Sequence, residues 1–243
     1  MKLKLILIFL TAWVFASAQP KEELKYHMRY GFFRGGEATL SVEDTTYEGK
    51  EAIHLLLDGN TVGVTDLLFK VHDVYESFVN PKTYQPYMAI RNIQEGDYKW
   101  YNEAYFFPEK DSLYSLKSGA HEVPPTTIDF VTSFYYMRNT PYLDEFDGGE
   151  EFSIPVFHAD KFFWMRVKYL GKTKIKSSLG EKQCHIIQPR IDKGKVLNSN
   201  SGLKFYITND KARIPVLLEF DLKVGSLKCE LDSYKINGVE QIE

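Results

Sequence analysis

Cysteine is scarce in this 243-residue chain: Cys184 and Cys229 are the two it has. Each alternates with apolar neighbours, Ile186 beside the first and Leu227 and Leu231 around the second, so both read as inward-pointing strand residues. A bridge in an oxidising compartment and two buried thiols acting as small hydrophobes both stay open, since the sequence does not place the two strands side by side. Metal motifs are missing as well. The six histidines, His27, His54, His72, His121, His158 and His185, form no H-E-x-x-H or H-x-H pattern, and isolated ones read as structural or surface groups. The acidic stretch 144–151 lacks the spacing that wraps oxygens around calcium. No metal and no cofactor is expected.

Nucleophile signatures fare no better. There is no G-x-S-x-G, and Ser201-Gly202-Leu203-Lys204 matches S-x-x-K in letters alone, straddling a loop and a strand. Gly171-Lys172-Thr173 ends like a phosphate loop, but Arg166 stands where its first glycine belongs. Spacing selects no carboxylate pair for glycoside hydrolysis from Asp73, Glu76, Glu95, Asp97, Glu103 and Asp129. Basic residues are not in excess: the formal net charge is −3, which argues against nucleic acid as a partner. No repeat of fixed period and no composition break marks a second domain.

What is present begins with a leader. Lys2 and Lys4 precede the apolar run 5–15, and Ala16-Ser17-Ala18 follows. A basic start, a short apolar core and an A-x-A-type end predict a secretory signal over 1–18, cleaved after Ala18. A membrane anchor needs about 20 apolar residues, and no later segment is apolar enough to span a bilayer. The mature chain, 19–243, is expected in the periplasm or beyond, as a monomer. Losing two lysines takes its net charge from −3 to −5.

Period-two alternation fills most of the rest. It is clearest over 203–234, where Val216, Leu218, Phe220, Leu222 and Val224 alternate with polar partners and Leu227, Cys229 and Leu231 resume after Gly225. That stretch predicts a three-stranded meander. Further strands fall at hairpin spacing from Tyr26 to Gln188, with a short helical stretch over 62–70. The best helix is 126–138, capped by Thr126 or Thr127 with Asp129 in its first turn. The expectation is one all-β, mainly antiparallel domain over 19–243: a closed or strongly curved barrel of roughly a dozen strands. Runs 98–107 and 161–170 carry large apolar groups on both faces, so each is covered outside as well as inside or lines a cavity, with helix 126–138 as cover or plug.

Several motifs occur in the order of one family: YGFFRGGEATLSV (30–42), FKVHDVYESFV (69–79), Arg91…Glu95-Gly96…Tyr98, DFVTSFYYMR (129–138), VKYLG (167–171) and ITNDKARIPVLLEFDLKVGSLKCEL (207–231). The chain thereby resembles an exported β-barrel family of Gram-negative bacteria described only as a domain of unknown function. The resemblance implies a single periplasmic barrel, similar in fold to a lipoprotein linked with polysaccharide-export operons. It implies no activity.

The remaining signal is aromatic, 15% of residues. Aromatic walls suit sugar rings or acyl chains, although in a barrel of this size they also simply fill the core. An arginine among aromatic strand residues either recognises an anion or pairs with a neighbouring carboxylate. The candidate ligand-lining set is Tyr75, Arg91, Trp100, Tyr101, Trp164 and Arg138. The expected function is a non-enzymatic binding or accessory protein of the cell envelope with a lipid, glycan or protein ligand. The alternatives are an envelope-glycan hydrolase using paired carboxylates, and an outer-membrane or polysaccharide-export assembly factor.

Overall fold

In the computed structural model, which describes residues 21–190 and 202–241, the alternation becomes sixteen strands. The leader expected over 1–18 lies outside those residues, as does most of the loop 191–202. The first strands run as hairpins: β1 (Glu22–Tyr30), β2 (Phe33–Tyr47), β3 (Lys50–Thr61), then a short helix α1 (Gly63–Leu68). β4 (Val71–Val79), β5 (Pro86–Glu95), β6 (Tyr98–Phe107), β7 (Ser112–Ser115) and β8 (Gly119–Glu122) continue the pattern. A two-residue β9 (Ile128–Asp129) feeds helix α2 (Phe130–Arg138). The chain closes with β10 (Glu151–His158), β11 (Lys161–Ser177), β12 (Gly180–Pro189), β13 (Leu203–Thr208), β14 (Pro215–Asp221), β15 (Ser226–Ile236) and β16 (Val239–Glu240).

All strands join one sheet in the order β8-β7-β6-β5-β4-β3-β2-β1-β15-β14-β13-β12-β11-β10-β9, with β16 on β15. Every pairing is antiparallel except that of β9 with β10. The meander read over 203–234 is β13–β14–β15. The count of a dozen strands is corrected to sixteen. β7, β8, β9 and β16 have four residues or fewer, too few to leave an alternation in the sequence.

A closed barrel is also corrected. Among the described residues no ladder joins β8 to β9, and Pro124-Pro125 between them supply no N–H to extend one. The two ends overlap instead. Ala104, Phe106 and Leu113, on the inward faces of β6 and β7, pack with Phe157 and Phe162. Those two rings point outward from β10 and β11, since their neighbours Val156 and Phe163 join the main core. The sheet is rolled like a scroll, which explains why β11 is apolar on both sides near Phe162. Asp160, in the β10–β11 turn, pins the overlap. It accepts from Asn102 Nδ2 (2.8 Å), Ser115 Oγ (2.5 Å) and Ser118 Oγ (2.9 Å).

Helix α2 lies inside the roll, a plug rather than a lid. Val131 and Tyr135 pack on Ile53, Leu55 and Val79, and Phe134 meets Phe205 edge-on at 5.1 Å. It begins later than the sequence suggested. Ile128 and Asp129 pair with Val156 and Phe157, so the cap is Asp129, whose Oδ1 accepts from Thr132 N at 3.1 Å. Neither Thr126 nor Thr127 caps it.

The two cysteines, for which a bridge and two buried thiols both stayed open, do not meet. Both thiols are free and buried. Cys184 on β12 and Cys229 on β15 have β13 and β14 between them, roughly 14 Å of sheet against the ~7 Å limit for a bridge. Burial pushes Cys184 up to about 11 and Cys229 up to about 12, so neither is a nucleophile.

One ion pair holds the far end of α2. Arg138 Nη1 and Nη2 each donate to Glu22 at 2.6 Å. Its Nε donates to the Arg213 carbonyl at 2.7 Å and Nη2 to the Ala212 carbonyl at 2.9 Å. This ties helix, first strand and β13–β14 turn together. Arg138→Met leaves the half-buried Glu22 carboxylate without its cation, so urea unfolding is expected to show a loss of up to about 3 kcal/mol. Arg138→Met/Glu22→Leu is expected to recover part of it; a single variant as stable as the parent contradicts the assignment.

Candidate functional site

The register of β3 to β6 lays side chains in rows across the inward face. One row runs Leu57, Tyr75, Arg91, Asn102; the next runs Asp73, Ile93, Trp100. Opposite them stand the start of α2 and the β10–β11 turn. Between the two is a small cleft of about 40 Å³, lined by Tyr75, Arg91, Trp100, Phe130, His158 and Asp160 among others. That is room for a few water molecules or one small ion, well below the usual small-molecule site.

Its wall is aromatic. Tyr75 and Phe130 have ring centres 5.2 Å apart, and His158 lies 4.7 Å from Phe130 and 6.0 Å from Tyr75. The Lys117 ammonium sits 5.5 Å from the centre of the Trp100 ring. Two of the residues lining it carry a buried N–H donor that finds no acceptor in the protein: Arg91 at Nε and Trp100 at Nε1. Buried donors are rarely left so. Among the described residues no carboxylate lies within ion-pair distance of Arg91.

The neighbouring acids are already engaged. Asp129 accepts from Ser77 Oγ (2.6 Å) and Thr132 Oγ1 (2.5 Å) besides its cap; burial raises its pKa and these bonds lower it. Asp160 takes the three donors of the overlap on Oδ1. Asp73, on the next row, accepts from Gln94 N at 3.2 Å. Burial raises it, while the Gln94 N–H and, more weakly, the Arg91 charge lower it. None is disposed as a free acid–base pair. Ser118 and His121, 2.7 Å apart, do not form a nucleophilic dyad. The serine hydroxyl has one proton and Asp160 Oδ1 receives it at 2.9 Å, so the imidazole must be the donor to Ser118.

Of the six residues expected to line a site, Tyr75, Arg91 and Trp100 come together here. Tyr101 does not: it follows Trp100 in a strand, so it faces outward, 46% exposed, its hydroxyl on Glu103 at 2.5 Å. Trp164 is on the outer face of β11, 55% exposed, and stacks edge-on against Phe162. Arg138 lies at the other end of α2, engaged with Glu22. His158 and Phe130 were missed. His158 reads as a surface group at a strand end, and nothing local shows that α2 folds over it.

His158 is strongly perturbed. Burial, then the Arg91 charge, pushes its pKa down to about 4, with Asp160 pulling weakly the other way. A histidine with a depressed folded pKa binds fewer protons folded than unfolded between about 4 and 6.5. Its contribution to stability is therefore whole above pH 6.5 and falls as the pH falls through that window. Relative to His158→Gln, the parent is expected to lose about 2–3 kcal/mol between pH 7 and pH 4.5, at about 1.4 kcal/mol per unit. Urea unfolding at both pH values checks this, and parallel losses in the two proteins contradict it.

No curated protein matches the chain. Among solved structures it is similar to a crystal structure of a beta-barrel-like protein of domain of unknown function DUF1849 from Brucella abortus. That likeness has 9% identity and a TM-score of 0.56 over 90% of this chain and 98% of that one, and it bears on the fold alone. A DUF1089 family protein from Pseudomonas aeruginosa aligns over 85% of this chain and 94% of its own, at 9% identity and a TM-score of 0.32; no argument rests on it. Residues 25–232 match the family described as a protein of unknown function, DUF3108, which spans nearly the whole scroll, and the chain belongs to that family.

Proposed function

We propose that this is an exported, non-enzymatic binding protein of the cell envelope, and that its cleft holds a small anionic group of an envelope component, a carboxylate or a phosphate. The basic–apolar–small pattern over 1–18 supports export. The observation that carries the ligand class is the unpartnered pair of donors, Arg91 Nε and Trp100 Nε1, in a cleft where the acids are already hydrogen-bonded. A guanidinium and an indole N–H are donors suited to an oxyanion, and the Tyr75–Phe130–His158 wall stands beside them. At about 40 Å³ the cleft has room for the charged group itself and not for a sugar ring. A whole acyl chain does not fit an interior filled by α2, which disfavours a lipid swallowed by the barrel. A hydrolase would need two uncommitted carboxylates across a cleft, which is why binding is the better reading.

Titration with inorganic phosphate or acetate, followed by NMR at the Arg91 Nε–H and Trp100 Nε1–H, tests this. Both resonances are expected to shift together, and Arg91→Gln to weaken binding at least about tenfold, as loss of a charge-assisted hydrogen bond implies. An anion also opposes the Arg91 charge at His158, so its pKa rises on binding. Saturable binding unaffected by Arg91→Gln, or shifts confined to surface lysines, would contradict the proposal.

A further inference from the structure

The two donors of the cleft are unpartnered and also nearly out of reach. Arg91 Nε and Trp100 Nε1 have almost no accessible surface, and the space beside them is about 40 Å³. An anion that pairs with them has to pass a wall first, and the walls are held differently. Tyr75, Arg91 and Trp100 stand on β4, β5 and β6, which are joined by continuous ladders. Facing them are His158, Ala159 and Asp160 of the β10–β11 turn. That turn belongs to the other end of the sheet: β6 is third from one edge and β10 second from the opposite one. β9 pairs with β10 at Val156 and Phe157, and Asp129 fastens β9 to Ser77 of β4 at 2.6 Å. Beyond Phe157, among the described residues, side chains alone hold the tip of the hairpin to β4–β6. The polar contacts converge on one oxygen, Asp160 Oδ1, which accepts from Asn102, Ser115 and Ser118 at 2.8, 2.5 and 2.9 Å. His158 adds its ring against Phe130 and Tyr75. Ala159 and Asp160 have φ of +50° and +60°, the tight mirror-image turn of a two-residue hairpin, so the tip moves as one piece.

We infer that the β10–β11 turn is a lid on the cleft, latched by Asp160. When Asn102, Ser115 and Ser118 release the carboxylate, the tip swings away from β6 and the Arg91 and Trp100 donors open to solvent. Opening breaks three side-chain hydrogen bonds and a few ring contacts but no strand ladder, so it costs far less than global unfolding. A backbone ladder at the same place would seal the donors for as long as the protein stays folded. The lid states how the site proposed above is entered. It rests on that reading for the ligand, but the motion itself is read without one.

The test is hydrogen exchange at the Trp100 indole. In the mature chain 19–243 Trp100 and Trp164 are the two tryptophans, and Trp164 lies exposed on the outer face, so Trp164→Phe leaves Trp100 as the sole indole. Exchange of its Nε1–H is followed by NMR without ligand, in water and in low, sub-denaturing urea. It is expected to be slower than in a free indole, faster than at the amides of β2 and β3, and insensitive to urea, because a local opening exposes little surface. Adding Ser115→Ala/Ser118→Ala is expected to speed it at least about tenfold, as the loss of hydrogen bonds to a charged group implies. Arg138→Met loosens the fold at the other end of α2, so it is expected to speed the β2 and β3 amides and leave the indole rate unchanged. An indole that follows Arg138→Met, or whose rate climbs steeply with urea, exchanges by global unfolding and overturns the lid. So does an indole that exchanges as a free one, since nothing then covers it, and an indole that ignores the serine substitutions overturns the latch. Inorganic phosphate is expected to slow the exchange as it occupies the cleft. An indole that meets every other expectation but ignores phosphate supports the lid and tells against the anion site.

Discussion

The carboxylate of Asp160 is the point on which the architecture turns. An open sheet of this length has two edges, and edges left bare recruit other strands. Here the chain cannot zip them, because Pro124-Pro125 remove the donors where the last hairpin would meet β9. Rolling β6–β8 over the outside of β10–β11 covers Phe157 and Phe162, and Asp160 takes three side-chain donors from the covering strands. The overlap is thus made of side chains, with hydrophobic burial supplying the driving force and one anion fixing the register. It also fixes the β10–β11 turn against Asn102 of β6, and the cleft lies beside that contact.

The second constraint is the helix inside. A rolled sheet of this circumference has space to fill, and α2 fills it with Val131, Phe134, Tyr135 and Met137 while its polar groups are answered individually. Asp129 closes its start through Ser77 and Thr132, and Arg138 closes its end through Glu22. Buried ion pairs are poor sources of net stability but costly to break, so this one fixes where the helix sits more than it adds to folding. The cleft lies at the capped start, where α2 has just left β9 and the packing is thinnest.

Much of the fold could be read from residue order, and the parts that could not have physical causes. The period of two places Tyr75, Arg91 and Trp100 by parity alone, and the same parity sends Tyr101 to the other face, because adjacent strand residues cannot line one cleft. The 126–138 helix was visible by composition, but its start was not, because Ile128–Asp129 is claimed by a strand thirty residues later. His158, Asp160 and their partners Asn102 and Ser115 are brought together by the overlap of the sheet's ends, a long-range event with no local signature. Cys184 and Cys229 look like partners only while the two strands between them are ignored.

Amide hydrogen exchange along β8 and its partner strands tests the scroll most directly. Side-chain closure predicts that every second amide of β8, those facing away from β7, exchanges quickly while the amides of β2, β3 and β11 are strongly protected. Protection of all the β8 amides to the level of the central strands would mean a backbone ladder seals the roll, and the account of the overlap, and of the cleft it creates, would be wrong.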